Sequence, residues 1–206
     1  MYRLSSYLCF ISLLLLSLLL FTQETASHPH VFIVTRYTLV FDKKGLVGIR
    51  VNWQFDEYFS AMISGDYDSD QNGVIDTVEN KLIEKEAFQN LVKYSFFTFI
   101  KIDKKPFETK IVRDFSASLD ENILIYEFFI PCDVSATSSY REIRVAAYDP
   151  SYYSAIFFAK YNALSLEKED KIEYKSRIAE NKEETYYYGM VHPWELTFYF
   201  RSKSQS

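Results

Sequence analysis

Twelve consecutive residues hold the densest chemistry in this chain: Asp68-Ser69-Asp70-Gln71-Asn72-Gly73-Val74-Ile75-Asp76-Thr77-Val78-Glu79. Their types and spacing follow the calcium loop of the EF-hand motif. Asp68, Asp70 and Asn72 stand at loop positions 1, 3 and 5, and Gly73 stands where the chain must turn sharply. Val74 offers a backbone carbonyl at position 7. Asp76 stands at position 9, and Glu79 at position 12 can bind through both oxygens. Calcium is a hard ion that collects oxygen ligands, and this spacing wraps them around one point. The plain alternative is an acidic surface turn. A second candidate centre is made of imidazoles, His28-Pro29-His30, with His192 far along the chain. Imidazole nitrogen suits zinc, nickel, copper and cobalt. Pro29 has no amide hydrogen, so a site built from successive deprotonated amides is excluded there. The alternative is that the two histidines cap the first strand.

A calcium loop of this type needs a helix on each side. Upstream, Phe55, Tyr58, Phe59, Met62 and Ile63 recur at helical spacing and predict a helix over about residues 56–67. Downstream, Val78, Leu82, Ile83, Ala87, Phe88, Leu91 and Val92 predict a second apolar stripe. The inserted unit therefore spans residues 56–92. It is present once and lacks a Met-rich groove, so it reads as a fold staple rather than a switch. Asp56 and Glu57 at its start suit the positive end of a helix dipole.

Tyr2 and Arg3 precede an apolar run from Tyr7 to Phe21, followed by short polar residues to Ser27. That pattern predicts a secretory signal peptide over residues 1–27, cleaved after Ser27, and hence a periplasmic or secreted protein that does not span the membrane. Cleavage there would make His28 the first residue. Of 206 residues, 179 would then remain, enough for one domain over residues 28–206 with a real core. Cys132 would be the lone cysteine, so no intrachain disulfide could form. A formal charge of −5 without basic runs argues against nucleic acid as a partner.

The remainder reads mainly as strand. Val31 to Phe41 is β-branched and aromatic, and Asp42-Lys43-Lys44-Gly45 reads as a hairpin turn. Leu46 to Gln54 alternates, with Val47, Ile49, Val51 and Trp53 on one face. Further strands are expected at Ser95 to Ile102, Phe107 to Leu119, Ile123 to Ile130 (ended by Pro131), Glu142 to Tyr148, Lys171 to Ile178 and Glu195 to Arg201. The expected fold is α+β and mostly β: an antiparallel sandwich or open barrel with the helix-loop-helix calcium unit between strands two and three. Aromatic residues make up 18% of the chain. They read first as sheet core and cross-strand pairs, and second as the lining of a ligand cleft. Asp149, before Pro150, ends a strand and reads as an Asx turn, or as a carboxylate facing the N-terminal histidines. No nucleophile elbow, phosphate loop or Cys-His pair is visible, so no enzyme is expected.

Five segments together resemble a known family: His28-Pro29-His30-Val31-Phe32, Trp53-Gln54-Phe55-Asp56-Glu57-Tyr58-Phe59-Ser60, the acidic loop, Tyr94-Ser95-Phe96-Phe97-Thr98, and Tyr148-Asp149-Pro150-Ser151-Tyr152-Tyr153. The chain is similar, over about residues 28–158, to a bacterial family of unknown function labelled as the periplasmic component of an uncharacterised ABC-type transport system. The resemblance implies a periplasmic protein linked with nickel, cobalt or zinc permeases, and it draws attention to His28, His30, Asp56, Glu57 and Asp149. The reading that results is a periplasmic calcium-binding accessory protein. It would handle or deliver zinc, nickel or cobalt for a membrane metal permease or ABC-type transporter, through His28, His30, Asp149 and His192. The alternative is a calcium-stabilised interaction module with no transition-metal role.

Overall fold

Alternation of β-branched and aromatic residues builds β1 (Val31–Phe41), and a turn held by Asp42 returns the chain as β2 (Gly45–Phe55), antiparallel to it. The structure is a computed structural model describing residues 29–168 and 170–203. Two helices follow, α1 (Glu57–Tyr67) and α2 (Thr77–Ile83), then a π-helical turn at Glu84–Phe88 and a 3-10 segment at Gln89–Phe97. The remaining strands are β3 (Thr98–Ile102), β4 (Lys105–Phe107), β5 (Arg113–Asp120), β6 (Ile123–Ser135) and β7 (Arg141–Ala147). After them come β8 (Ser154–Phe158), β9 (Leu164–Glu167), β10 (Ile172–Glu180) and β11 (Trp194–Ser202).

These strands form two sheets, and neither closes into a barrel. One runs β5-β6-β2-β1-β8, with β9 also pairing β1, and the other runs β10-β11-β7-β3-β4. Phe41 of β1 meets Phe198 and Phe200 of β11 at ring-centroid distances of 6.1 and 5.3 Å, so the sheets share a core. Cys132 is buried in it, and burial pushes its thiol up to about 12, leaving it unreactive.

The α+β, mostly β expectation holds, with two helices between β2 and β3, but several of its details change. The sheets are not purely antiparallel: β8 and β9 both lie parallel to β1. The chain leaves β7 in the other sheet and crosses over, so it enters the free edge of β1 in the same direction as β1. Residues 107–119 do not form one strand, because β4 belongs to the second sheet and β5 to the first. Pro131 does not end β6. It falls opposite Gly48 where the β2–β6 register shifts, a bulge that tolerates a missing N–H. The same bulge changes the phase of β2, so that Leu46 and Gly48 are buried and Val47 only half-buried, whereas Ile49, Val51 and Trp53 face inward as expected.

Ser95 to Phe97 are not strand. All three take positive φ (55°, 48° and 48°), and Phe96 and Phe97 are both buried. A strand sends successive side chains to opposite faces. Only a turn could bury both rings, at the cost of a left-handed backbone in three residues with Cβ atoms.

Asp56 starts α1. It is the N-cap rather than a first-turn residue: one carboxylate oxygen accepts from the amides of Tyr58 and Phe59 (2.9 and 3.0 Å). The other accepts from the amide of Phe32 in β1 (2.7 Å). The inward face of α1 is Phe59, Ser60 and Ile63, while Tyr58 is 90% exposed and Met62 51%. Ser60 is fully buried and accepts from the Leu124 amide of β6 (2.9 Å) while donating to the Asp56 carbonyl (2.6 Å). Asn80 does the same for α2, accepting from the Ala117 amide of β5 (2.6 Å). We expect Ser60→Ala to destabilise the fold by about 1–3 kcal/mol, because the buried Leu124 amide loses its acceptor. Thermal denaturation followed by circular dichroism measures it, and an unchanged melt would refute the anchoring role.

Candidate metal centre

The helices place the acidic loop, and the loop folds around its own carboxylates. Asp68 ends α1 and is buried. Its two oxygens accept from the amides of Asn72 (3.1 Å) and Gly73 (2.9 Å). Gly73 turns the chain with φ +77°, a conformation that costs glycine little. The exposed Asp70 accepts from the Asn72 amide (3.2 Å) and side chain (2.8 Å), and the Asn72 carbonyl oxygen accepts from the amide of Val74 (2.7 Å). Asp76 caps α2, taking the amides of Val78 (2.7 Å) and Glu79 (2.9 Å). Glu79 closes the ring. One oxygen accepts from the Ser69 amide (2.7 Å) and hydroxyl (2.8 Å), the other from the Asp76 amide (3.0 Å). Asp76 and Glu79 thereby form a reciprocal capping box.

Carboxylate oxygens of Asp68, Asp70 and Glu79 all lie within 4.8 Å of one another. Three anions this close repel, and a divalent cation between them would remove the repulsion. This is the one group of three or more His, Cys, Asp or Glu side chains so arranged among the described residues. It could chelate a divalent cation. The Asp76 carboxylate is not in that group.

Glu79 joins the buried face of α2. Of the expected stripe, Ile83 and Phe88 are buried and Ala87 and Leu91 pack against the core, while Val78, Leu82 and Val92 are exposed and Glu79 is buried in the first turn. The hydrogen bonds of Glu79 and the burial of Ile83 and Phe88 act on the same orientation of the helix. Ser69, which holds Glu79 twice, carried no sequence signal, since its position in the loop is not a ligand position.

The imidazole candidates lie elsewhere. His28 falls outside the described residues. His30 is exposed, its amide donating to the Tyr153 carbonyl (2.8 Å) and its ring 4.9 Å from that of Tyr153. Asp149 is buried, with one oxygen accepting from the Ser151 amide (2.9 Å) and hydroxyl (2.7 Å) and the other from the Ser154 amide (3.0 Å). Those contacts are the Asx-turn arrangement. His192 Nδ1 lies 2.8 Å from the Glu184 carbonyl.

The model of a family described as "Protein of unknown function (DUF1007)" matches residues 13–189. The chain belongs to that family. Among relatives by sequence, an uncharacterized 15.5 kDa protein in the trpE 3' region of Spirochaeta aurantia is 27% identical over 128 residues, 62% of this chain and 91% of that one. An uncharacterized protein of Haemophilus influenzae is 24% identical over 146 residues, 67% of this chain and 66% of that one. None of these descriptions names an activity or a transport role.

Glu79 also makes the loop sensitive to acid. The amides of Asp76 and Ser69 and the Ser69 hydroxyl hold its carboxyl below the ordinary 4.5. A folded value below the unfolded one stabilises the fold fully above about 4.5, and the contribution is lost as pH falls through the lower folded value. Melting temperature should therefore fall more steeply on acidification in the native chain than in Glu79→Gln. Parallel pH profiles for the two proteins would show that this carboxylate is not linked to folding.

Proposed function

We propose that this DUF1007 protein is an exported, calcium-stabilised accessory module, and that calcium is the cation of the Asp68–Glu79 loop. The observation that carries the reading is the convergence of Asp68, Asp70 and Glu79 oxygens within 4.8 Å. By loop position, Asn72, the Val74 carbonyl and Asp76 would add further oxygen donors, a set that suits a hard cation tolerant of irregular geometry. Zinc, nickel and cobalt favour nitrogen and sulfur donors, and this loop offers none. In this reading residues 1–27 are a signal peptide, residues 28–206 are one domain, and the protein works in the periplasm or outside the cell. No helix among the described residues is long and apolar enough to cross a membrane. Exposed Tyr58, Met62, Val78 and Leu82 on the two helices support a role in contacting another exported or membrane protein.

Delivery of zinc, nickel or cobalt to a membrane permease or ABC-type transporter ranks behind this reading. It needs Asp149 and His192 alongside His28 and His30. Asp149, His30 and His192 do not gather into a group of three such side chains among the described residues, whereas Asp68, Asp70 and Glu79 do.

Adding calcium after chelator treatment should raise the melting temperature. At one hundred times the dissociation constant the gain is about 2.7 kcal/mol. The gain should disappear in Glu79→Ala, and zinc, nickel or cobalt should not reproduce it. No shift at millimolar calcium, or an undiminished shift in Glu79→Ala, would overturn the proposal.

A further inference from the structure

A cavity of about 310 Å³ opens between the first sheet and the helical segment, and none of the acidic-loop residues lines it. Trp53 and Phe88 lie behind its wall, both 0% exposed. The surface that a guest would touch comes from Phe59, Ala87 and Leu91, which are half-buried, and from Tyr94 and Tyr153, which are 41% and 51% exposed. The two tyrosines therefore stand at the mouth. The volume is at the lower end of small-molecule sites, and about twice that of an apolar cavity able to hold benzene.

Two irregularities of the backbone, both between α2 and β3, shape this wall. The π-helical turn Glu84–Phe88 carries Ala87, and the left-handed turn from Ser95 to Phe97 carries Phe97 at φ 48°. π-Turns and strained left-handed residues both concentrate at functional sites, because a fold keeps such conformations only where the surrounding structure demands them. Ala87 is also the smallest of the side chains that the helical segment gives to the lining. A larger residue there would close space that protein interiors ordinarily fill.

Charge decides the class of guest. Among the described residues, no lysine, arginine or histidine lines the cavity. A carboxylate or phosphate would therefore lose its water without gaining a counter-ion. Asp149, 3% exposed, is the one charged side chain in the wall. Its carboxylate accepts from the Ser151 amide and hydroxyl and from the Ser154 amide, so it is turned into its own loop and leaves little surface for a cation. What remains open is ring and hydrocarbon, which another aromatic ring can meet edge-on or offset.

We propose that the cavity binds an uncharged aromatic molecule of one or two fused rings, received by Phe59, Ala87, Leu91 and the two tyrosines at the mouth. This site is separate from the calcium reading and does not depend on it.

Naphthalene, 2-naphthoate and 2-naphthylmethylammonium test the idea on the protein expressed from the full-length chain. The readout is the methyl resonances of Ala87 and Leu91 in carbon-13 spectra, which a ring seated beside them shifts. The methyls of Val78 and Leu82, exposed on α2 and absent from the lining, report unspecific adsorption. Naphthalene should shift Ala87 and Leu91 saturably and leave Val78 and Leu82 in place. Each charged derivative should bind at least about tenfold more weakly. Ala87→Phe, which fills the cavity, should abolish naphthalene binding while melting cooperatively. The comparison of the three compounds on the unaltered protein stands even if that variant misfolds. No shift at Ala87 and Leu91 up to the solubility limit, equal shifts at Val78 and Leu82, or a charged derivative bound as tightly as naphthalene would overturn the proposal.

Discussion

Burial of Phe88 is the constraint on which the helical half of the molecule rests. The ring is fully buried, with centroids of Phe115 at 4.2 Å, Phe128 at 5.0 Å, Phe96 at 5.1 Å and Tyr126 at 6.0 Å. Those partners come from β5, β6 and the strained turn before β3. One side chain thus joins the segment after α2 to two strands of the first sheet and to the chain's entry into the second. Aromatic pairs of this kind add about 0.5–1.5 kcal/mol each beyond the area they bury, which counts against the cost of the left-handed turn that brings Phe96 and Phe97 inward.

The acidic loop completes what Phe88 begins. Hydrophobic burial can hold a helix against a sheet, but it is not directional and leaves rotation about the helix axis open. Hydrogen bonds supply the direction. Glu79 ties the start of α2 to Ser69 and Asp76, and Asn80 and Ser60 tie α2 and α1 to particular amides of β5 and β6. The helical segment so placed contributes Phe59, Ala87 and Leu91 to the cavity beside Trp53 and Tyr126. The loop and the cavity therefore share a scaffold without sharing residues.

Two residues to which the family resemblance drew attention, Asp56 and Asp149, act as structural joints. Asp56 caps α1 and clasps β1, and Asp149 caps the turn before β8 with both oxygens. Acidic side chains at such points are as much a signature of chain crossings as of chemistry, because backbone amides freed from a sheet need an acceptor.

Local order was legible in the sequence wherever it decided the outcome. The period-two pattern marks β1 to the residue and β2 to within one residue at each end, and the order of Asp68, Asp70 and Glu79 marks a carboxylate cluster. Both signals lie within a dozen residues, so spacing alone places the groups on one face or around one point. Non-local partners decided the rest. The parallel approach of β8 and β9 to β1 depends on where the chain crosses between sheets. The burial of Glu79 depends on its meeting Ser69 across the loop. The pairing of Trp53 with Tyr126 depends on the β2–β6 register, which a bulge at Pro131 shifts. Residues so distant in sequence meet only when tertiary packing brings them together, and no spacing in the chain encodes that meeting directly.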